Sequence, residues 1–241
     1  MAMKVRLDEA AAVPGGSTSC NLAVRNSGLD RDVYRFEVRG EASTWARVSP
    51  PILELLPDAE GTVKVFFDMP RSPWPAAGAL PVDVRVVSQA EPNRPALATS
   101  LLRIEPFSEA HATLEPRLSR GRRRAQHVVT VHNRGNTPLR ARIAPAMADR
   151  GLQVDVEPQE VNVAPGRCGA ARVTARCPLP SLWRPGSTRR FELQVGAGGV
   201  GPLVLGAEMQ REPAGLVAKV IAAASLFLVA GLTLTALALA H

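Results

Sequence analysis

The sequence predicts an all-β chain, with two tandem β-sandwiches followed by a single transmembrane α-helix. Three observations predict it. Short runs of alternating apolar and polar residues recur along the first 213 residues, cut by Pro and Gly turns at the spacing of a sandwich. The second half of those residues repeats landmarks of the first at a nearly constant offset. The chain then ends in an oily stretch, 220–240, without a charge, a Pro, an Asn or a Gln. All 21 prolines lie before that stretch and only ten residues are aromatic, which suits small β domains with Pro-marked turns.

Val5 and Leu7 open the first strand, and Pro14-Gly15-Gly16 is a turn. Ser19 to Val24 follows, with Cys20, Leu22 and Val24 on one face, and Asn26-Ser27-Gly28 turns the chain back. From Val33 to Arg39, Tyr34, Phe36 and Val38 point one way and Val33, Arg35, Glu37 and Arg39 the other. Trp45 and Val48 precede Pro50-Pro51, and Ile52 to Leu56 is a brief apolar run ended by Pro57-Asp58. Thr62 to Phe67 is a strand with Val63 and Val65 inward. Met69 to Pro75 crosses over, its Trp74 expected to cap one end of the sandwich. Leu80 to Val87 has the clearest period of two, with Val82, Val84 and Val86 on one face. Leu97 to Ile104 closes the unit, which makes seven or eight strands.

The second unit repeats the first. Val24-Arg25-Asn26-Ser27-Gly28 reappears as Val131-His132-Asn133-Arg134-Gly135, at an offset of 107. Pro50, Pro57, Pro70 and Gly78 recur as Pro158, Pro165, Pro178 and Gly186, at 108, and Trp74 recurs as Trp183. Asn and Gly near a hairpin tip tolerate left-handed backbone, and Pro at a strand end stops further pairing. The domains implied are 1–107, 108–213 and a C-terminal helix over 214–241.

The run VVTVHNRGNTPLRARI from Val128, then GLQVDVEPQEVNVAPG from Gly151 and FELQV from Phe191, resembles bacterial immunoglobulin-like modules. It is most similar to the NEW3-type module found beside the carbohydrate-binding domains of some α-galactosidases, which also recurs in bacterial membrane proteins. The resemblance implies two tandem immunoglobulin-like sandwiches and no shared catalytic residues. The first unit departs from the pattern at Ser27-Gly28-Leu29-Asp30 and at Asp58-Ala59-Glu60-Gly61. The motifs mark a fold, and a fold of this kind hosts many functions.

A helix over 220–240 would be about 31 Å long, enough to cross the roughly 30 Å of a bilayer's hydrocarbon. Arg211 and Lys219 flank its N-terminal end and no Lys or Arg follows. The positive-inside rule then puts the sandwiches in the cytoplasm, on a single-pass cell-membrane protein. Met1 to Pro14 carries two acids and has no apolar run of signal-peptide length.

Charge is uneven. Residues 1–107 hold 12 Lys and Arg against 13 Asp and Glu, while residues 108–214 hold 16 Arg against 9 acids. The densest cluster is Arg117, Arg120, Arg122, Arg123 and Arg124, expected as one loop between strands Ala112–Glu115 and Gln126–Val131. Adjacent arginines ask for an anion, and a solvated loop without a partner is the plain alternative. Acidic lipid headgroups and an acidic protein surface both fit. Nucleic acid is the least expected of the three, since no aromatics are interleaved to stack on bases.

No active site is expected. Of His111, His127, His132 and His241, His127 reads as an inward strand residue and none has metal-ligand spacing. The Gly196 to Gly201 stretch reads as a hairpin loop and not a phosphate cradle. Cys20, Cys168 and Cys177 lack a C-x-x-C pair, which fits a reducing compartment. No cofactor and no metal are expected. The leading expectation is a non-enzymatic, membrane-anchored binding or scaffold protein with an unidentified protein partner. The alternative is an extracellular carbohydrate-binding or cell-surface accessory module, with Trp45, Trp74, Trp183 and Tyr34 as its available aromatics.

Overall fold

The computed structural model describes residues 3–177 and 187–212. The first unit runs through β1 (Met3–Leu7), β2 (Ala10–Ala12), β3 (Ser17–Asn26), β4 (Asp32–Arg39), a 3-10 turn (Glu41–Thr44), β5 (Ala46–Ser49), β6 (Ile52–Leu55), β7 (Glu60–Asp68), β8 (Gly78–Ser88) and β9 (Ala96–Ile104). The second runs through β10 (Ala110–Glu115), β11 (Leu118–Gly121), β12 (Arg124–Asn133), β13 (Leu139–Ala148), β14 (Gln153–Glu157), β15 (Glu160–Val163), β16 (Cys168–Arg176), β17 (Thr188–Ala197) and β18 (Val200–Arg211).

The two units share one topology. A four-stranded sheet, β1-β3-β7-β5, faces a five-stranded one, β2-β9-β8-β4-β6, and the second unit repeats both orders as β10-β12-β16-β14 and β11-β18-β17-β13-β15. These are immunoglobulin-like β-sandwiches. In each, the N-terminal segment crosses from one sheet to the other, so β2 and β11 lie parallel to β9 and β18 while the other pairs are antiparallel. Alternation places the core. Leu22, Val24, Val63, Val65, Val82, Val84 and Val86 are buried in the first unit; Val129, Val131, Ile143, Val173, Leu193 and Val195 are buried in the second. Each unit encloses its own cluster of buried apolar residues.

The repeated Asn explains the V-x-N-x-G motif. Asn26 Nδ2 donates to the carbonyls of Asp30, Leu55 and Leu56, and its Oδ1 accepts from Gly28 N at 2.9 Å. Asn133 Nδ2 donates to Thr137 O at 2.7 Å and Val163 O at 3.0 Å, and its Oδ1 accepts from Gly135 N at 3.0 Å. Both side chains are buried and fasten the hairpin tip to the neighbouring sheet.

The structure corrects two expectations. Among the described residues no helix is long and apolar enough to cross a membrane. The only helix there is the four-residue 3-10 turn, about 8 Å long against the roughly 30 Å a span needs. Among the described residues the fold class is therefore all-β with no transmembrane helix, and residues 214–241, expected to form one, lie outside them. Trp74 does not cap the sandwich, since 62% of it is exposed, and Trp183 lies outside the described residues. The oxygen of Trp74 accepts instead from the Ser72 hydroxyl, within the crossing loop.

Candidate anion-binding pole

The five arginines of the second unit do not share one loop. Leu118–Gly121 is the parallel edge strand β11, so Arg120 sits on a strand opposite Gln210. Arg117 lies before it, beside a hollow on the outer face of the five-stranded sheet. The sequence missed β11 because its two inward residues, Ser119 and Gly121, supply no apolar alternation. Arg122 and Arg123 form the tip of the turn into β12, and Arg124 is its first residue. All five are exposed, and among the described residues none of them forms an ion pair, unlike Arg140 with Glu160 at 2.5 Å or Arg190 with Glu208 at 2.7 Å.

The turn is held tightly. A Cβ on Gly121 would lie 2.2 Å from Arg124 O, so only glycine fits where the chain doubles back. Arg123 O accepts from Cys177 N at 2.8 Å, and Gly121 O accepts from Glu212 N at 3.2 Å. The turn therefore sits at the pole where β16 ends and where β18 hands the chain on toward residues 213–241. Register adds an arginine that sequence spacing does not reveal: Arg176 is directly opposite Arg124 across β12 and β16. Two like charges facing one another across a sheet repel. Asp155 neutralises Arg176 in part, at 3.5 Å. Arg211 ends β18 at the same pole, its N–H donating to Ser187 O at 3.0 Å; Lys219 lies outside the described residues.

Beneath the turn, β11 is strapped to β12 by a buried polar chain. His127 Nδ1–H donates to Pro116 O at 2.6 Å, and Nε2 is 2.9 Å from Ser119 Oγ. With its proton on Nδ1, the imidazole accepts from the Ser119 hydroxyl. Burial pushes the His127 pKa below its ordinary value, only partly offset by the Pro116 carbonyl. Phe191 meets the ring edge-on at 5.0 Å. A Ser–His contact of this length is also what a nucleophile and its base would show. Here the hydroxyl is buried and the far ring nitrogen binds a backbone carbonyl in place of a carboxylate, so the pair serves to hold the strand.

The hollow beside Arg117 has a volume of about 510 Å³. Gly206 floors it, with open space where a side chain would stand, and Leu118, Met147 and Arg190 rim it. An aromatic platform for sugar is not assembled among the described residues. Tyr34 is fully buried and Trp45 packs on Phe67 at 6.0 Å, leaving Trp74 exposed by itself. The Gly198-Gly199 pair is the tip of the β17–β18 hairpin, as its composition suggests.

No protein family matches this chain, and no curated protein does. Solved structures offer distant likenesses. The D00-D0 domain of intimin is 10% identical over 86% of this chain and 99% of its own, with a TM-score of 0.41. The YadV chaperone is 9% identical over 86% of this chain and 100% of its own, at 0.36. The PapD-like domain 7 of human CEP192 is 20% identical over 43% of this chain and 84% of its own, at 0.31. At these scores the likenesses carry nothing about binding or activity.

Proposed function

We propose that this chain is a non-enzymatic binding module that docks its arginine pole onto an anionic surface, the headgroups of acidic phospholipids. One observation carries the reading: Arg122, Arg123 and Arg124 meet Arg176 at one pole without enough acid to neutralise them. Packing like charges so closely costs stability, and an external anion offsets that cost. Arg211 ends β18 at the same pole and adds a further cation to it. The cytoplasmic leaflet is the one rich in acidic lipid, which makes its surface the proposed location.

Residues 1–212 contain every strand among the described residues and both cores, and serve for the test. This fragment should sediment with vesicles containing phosphatidylserine and not with neutral phosphatidylcholine vesicles, and added salt should weaken the association. Each basic side chain near such a surface contributes about 1 kcal/mol, so replacing Arg122, Arg123 and Arg124 with Ser should weaken binding roughly a hundredfold. Stability should move by no more than about 0.5 kcal/mol, because the three side chains are exposed. Equal vesicle binding by the wild type and the triple variant would exclude the reading.

A further inference from the structure

The outer edge of β18 is only half covered. β11 pairs with Glu208 to Arg211, and among the described residues no strand pairs with the earlier residues on that side. β10 runs beside them, but its partner is β12. The N–H of Glu208 donates outward to Arg117 O at 2.7 Å. Strand alternation therefore turns the backbone N–H and C=O of Val204 and Gly206 to the same open edge. Pro202, next in that alternation, has no N–H to offer there, which is where a strand tolerates proline. Two hollows flank the bare edge. The one of about 510 Å³ lies over Gly206, and a second, of about 620 Å³, opens between β10 and β18 at Thr113, Leu114 and Leu205. The first unit differs at the equivalent places. Thr99, opposite Asp83 as Gly206 is opposite Glu192, donates to the Asp83 carboxylate at 2.7 Å, and the Ser100 hydroxyl ties β9 to Asp8 O at 3.0 Å. Gly206 and Ala207 have no side-chain donor to make either bond.

We propose that this edge captures the extended C-terminal segment of a partner protein, laid parallel to β18 as an added strand. A strand is the backbone shape that matches a row of outward donors and acceptors. Its successive side chains point to opposite faces, one set over Gly206 and the other into the gap beside β10. Val204, which is 61% exposed, and Leu118 and Met147 make the walls apolar, so small aliphatic side chains fit. Charge and sterics set the direction. β11 occupies the edge from Glu208 onward, so an added strand has to stop at Arg117. Arg117 borders both hollows and forms no ion pair among the described residues, whereas Arg190 is already taken by Glu208. A parallel strand brings its terminal carboxylate to the Arg117 guanidinium, a charge-assisted pair. Glu115 and Glu192 also border the hollows and repel a carboxylate placed away from that end. This edge is separate from the turn of Arg122 to Arg124, and its occupant does not depend on the lipid reading.

The test uses the full chain in a mild non-ionic detergent. The probes are synthetic peptides of about seven residues in which Val alternates with Thr, labelled at the N-terminus for fluorescence anisotropy. The free-acid peptide should bind saturably, and the same peptide with an amidated C-terminus at least tenfold more weakly. N-methylation of the peptide's backbone nitrogens, which removes the donors of an added strand, should abolish binding. Gly206→Val, whose side chain enters open space, should weaken binding at least tenfold and leave the circular dichroism unchanged. Arg117→Gln should bring the free acid down to the level of the amide and leave the amide where it was. Hydrogen exchange followed by mass spectrometry should slow across 203–207 when the free acid binds. Absence of saturable binding, equal binding of acid and amide, undiminished binding of the N-methylated peptide, or unchanged exchange across 203–207 would each overturn the proposal. So would self-association of the chain that Gly206→Val abolishes, because the edge then belongs to a second copy.

Discussion

At the scale of single residues, the two buried asparagines hold what hydrophobic alternation alone leaves loose. A hairpin tip exposes carbonyls that no strand partner reaches, and a buried carbonyl without a donor costs about 1–3 kcal/mol. Asn133 supplies both of its amide hydrogens to such carbonyls, on Thr137 and Val163. Asn133→Ala should therefore cost about 3 kcal/mol in urea unfolding followed by circular dichroism, well beyond the loss of a surface polar group. A loss below about 1 kcal/mol would mean that water replaces the amide and that the motif shapes the turn without stabilising it. Tyr34 is buried as well: its ring fills the first core and its hydroxyl lies beside the Asp32 carboxylate.

At the scale of elements, strands with a clean period of two were legible in the sequence, and those without it were not. β3, β7 and β8 alternate buried valines and leucines with polar residues, so their faces could be assigned by inspection. β2 is three alanines and β11 is Leu-Ser-Arg-Gly; each is an edge strand defined by its parallel partner, which lies some 90 residues away. The arginine cluster was legible as charge. Its division between strand and turn, and the pairing of Arg124 with Arg176, depended on register. His127 was legible as an inward residue because it takes the place of Cys20 in the repeat, and both are buried. Its hydrogen bonds to Pro116 and Ser119 were not, since they exist only once β11 has docked.

That docking should respond to pH. Burial lowers the folded pKa of His127 beneath the unfolded value of about 6.5. As pH falls, the unfolded chain therefore takes up its proton first. Stability contributed by the neutral imidazole is complete above about pH 7.5. It is lost as pH drops below about 6.5 toward the folded pKa, and levels off beneath that. The urea midpoint should fall as pH drops from about 7.5 through the unfolded value of about 6.5, and His127→Gln should flatten that slope. Asp32 does not share the window. Burial raises its pKa, but bonds from Ser88 and from the N–H groups of Ala90 and Val33 outweigh it and leave the carboxyl lowered. Its contribution is lost only below the ordinary carboxylate range. An identical slope in the wild type and in His127→Gln would show that other groups set the acid sensitivity.

At the scale of the whole molecule, the duplication is broken where it has to be. In the second unit the hairpin tip continues to Asn136, which is buried against the connection from the first unit. Asn136 Oδ1 accepts from Phe107 N at 2.8 Å, its Nδ2 donates to Glu105 O at 2.9 Å, and its carbonyl accepts from Ala77 N at 3.1 Å. The counterpart in the first unit is Leu29, which is 94% exposed with no unit packed upon it. Gly135 makes the close approach possible, because a Cβ there would come within 2.6 Å of Phe107 O. Arg71 closes the junction from the first unit, its guanidinium 4.9 Å from the centre of the Phe107 ring and 3.5 Å from the Glu109 carboxylate. A junction made of a few hydrogen bonds, one cation–π contact and one exposed ion pair, with a separate core on either side, should be the weakest link in the chain. Asn136→Ala removes both side-chain bonds and touches neither core. Each unit should keep its fold, as read from the dispersion of its amide resonances. Nitrogen relaxation, which should give the rotational correlation time of one 212-residue body for the wild-type 1–212 fragment, should give clearly shorter times for both units in the variant. An unchanged time after the substitution would show that Arg71, Phe107 and the Ala77 contact hold the units in line without Asn136.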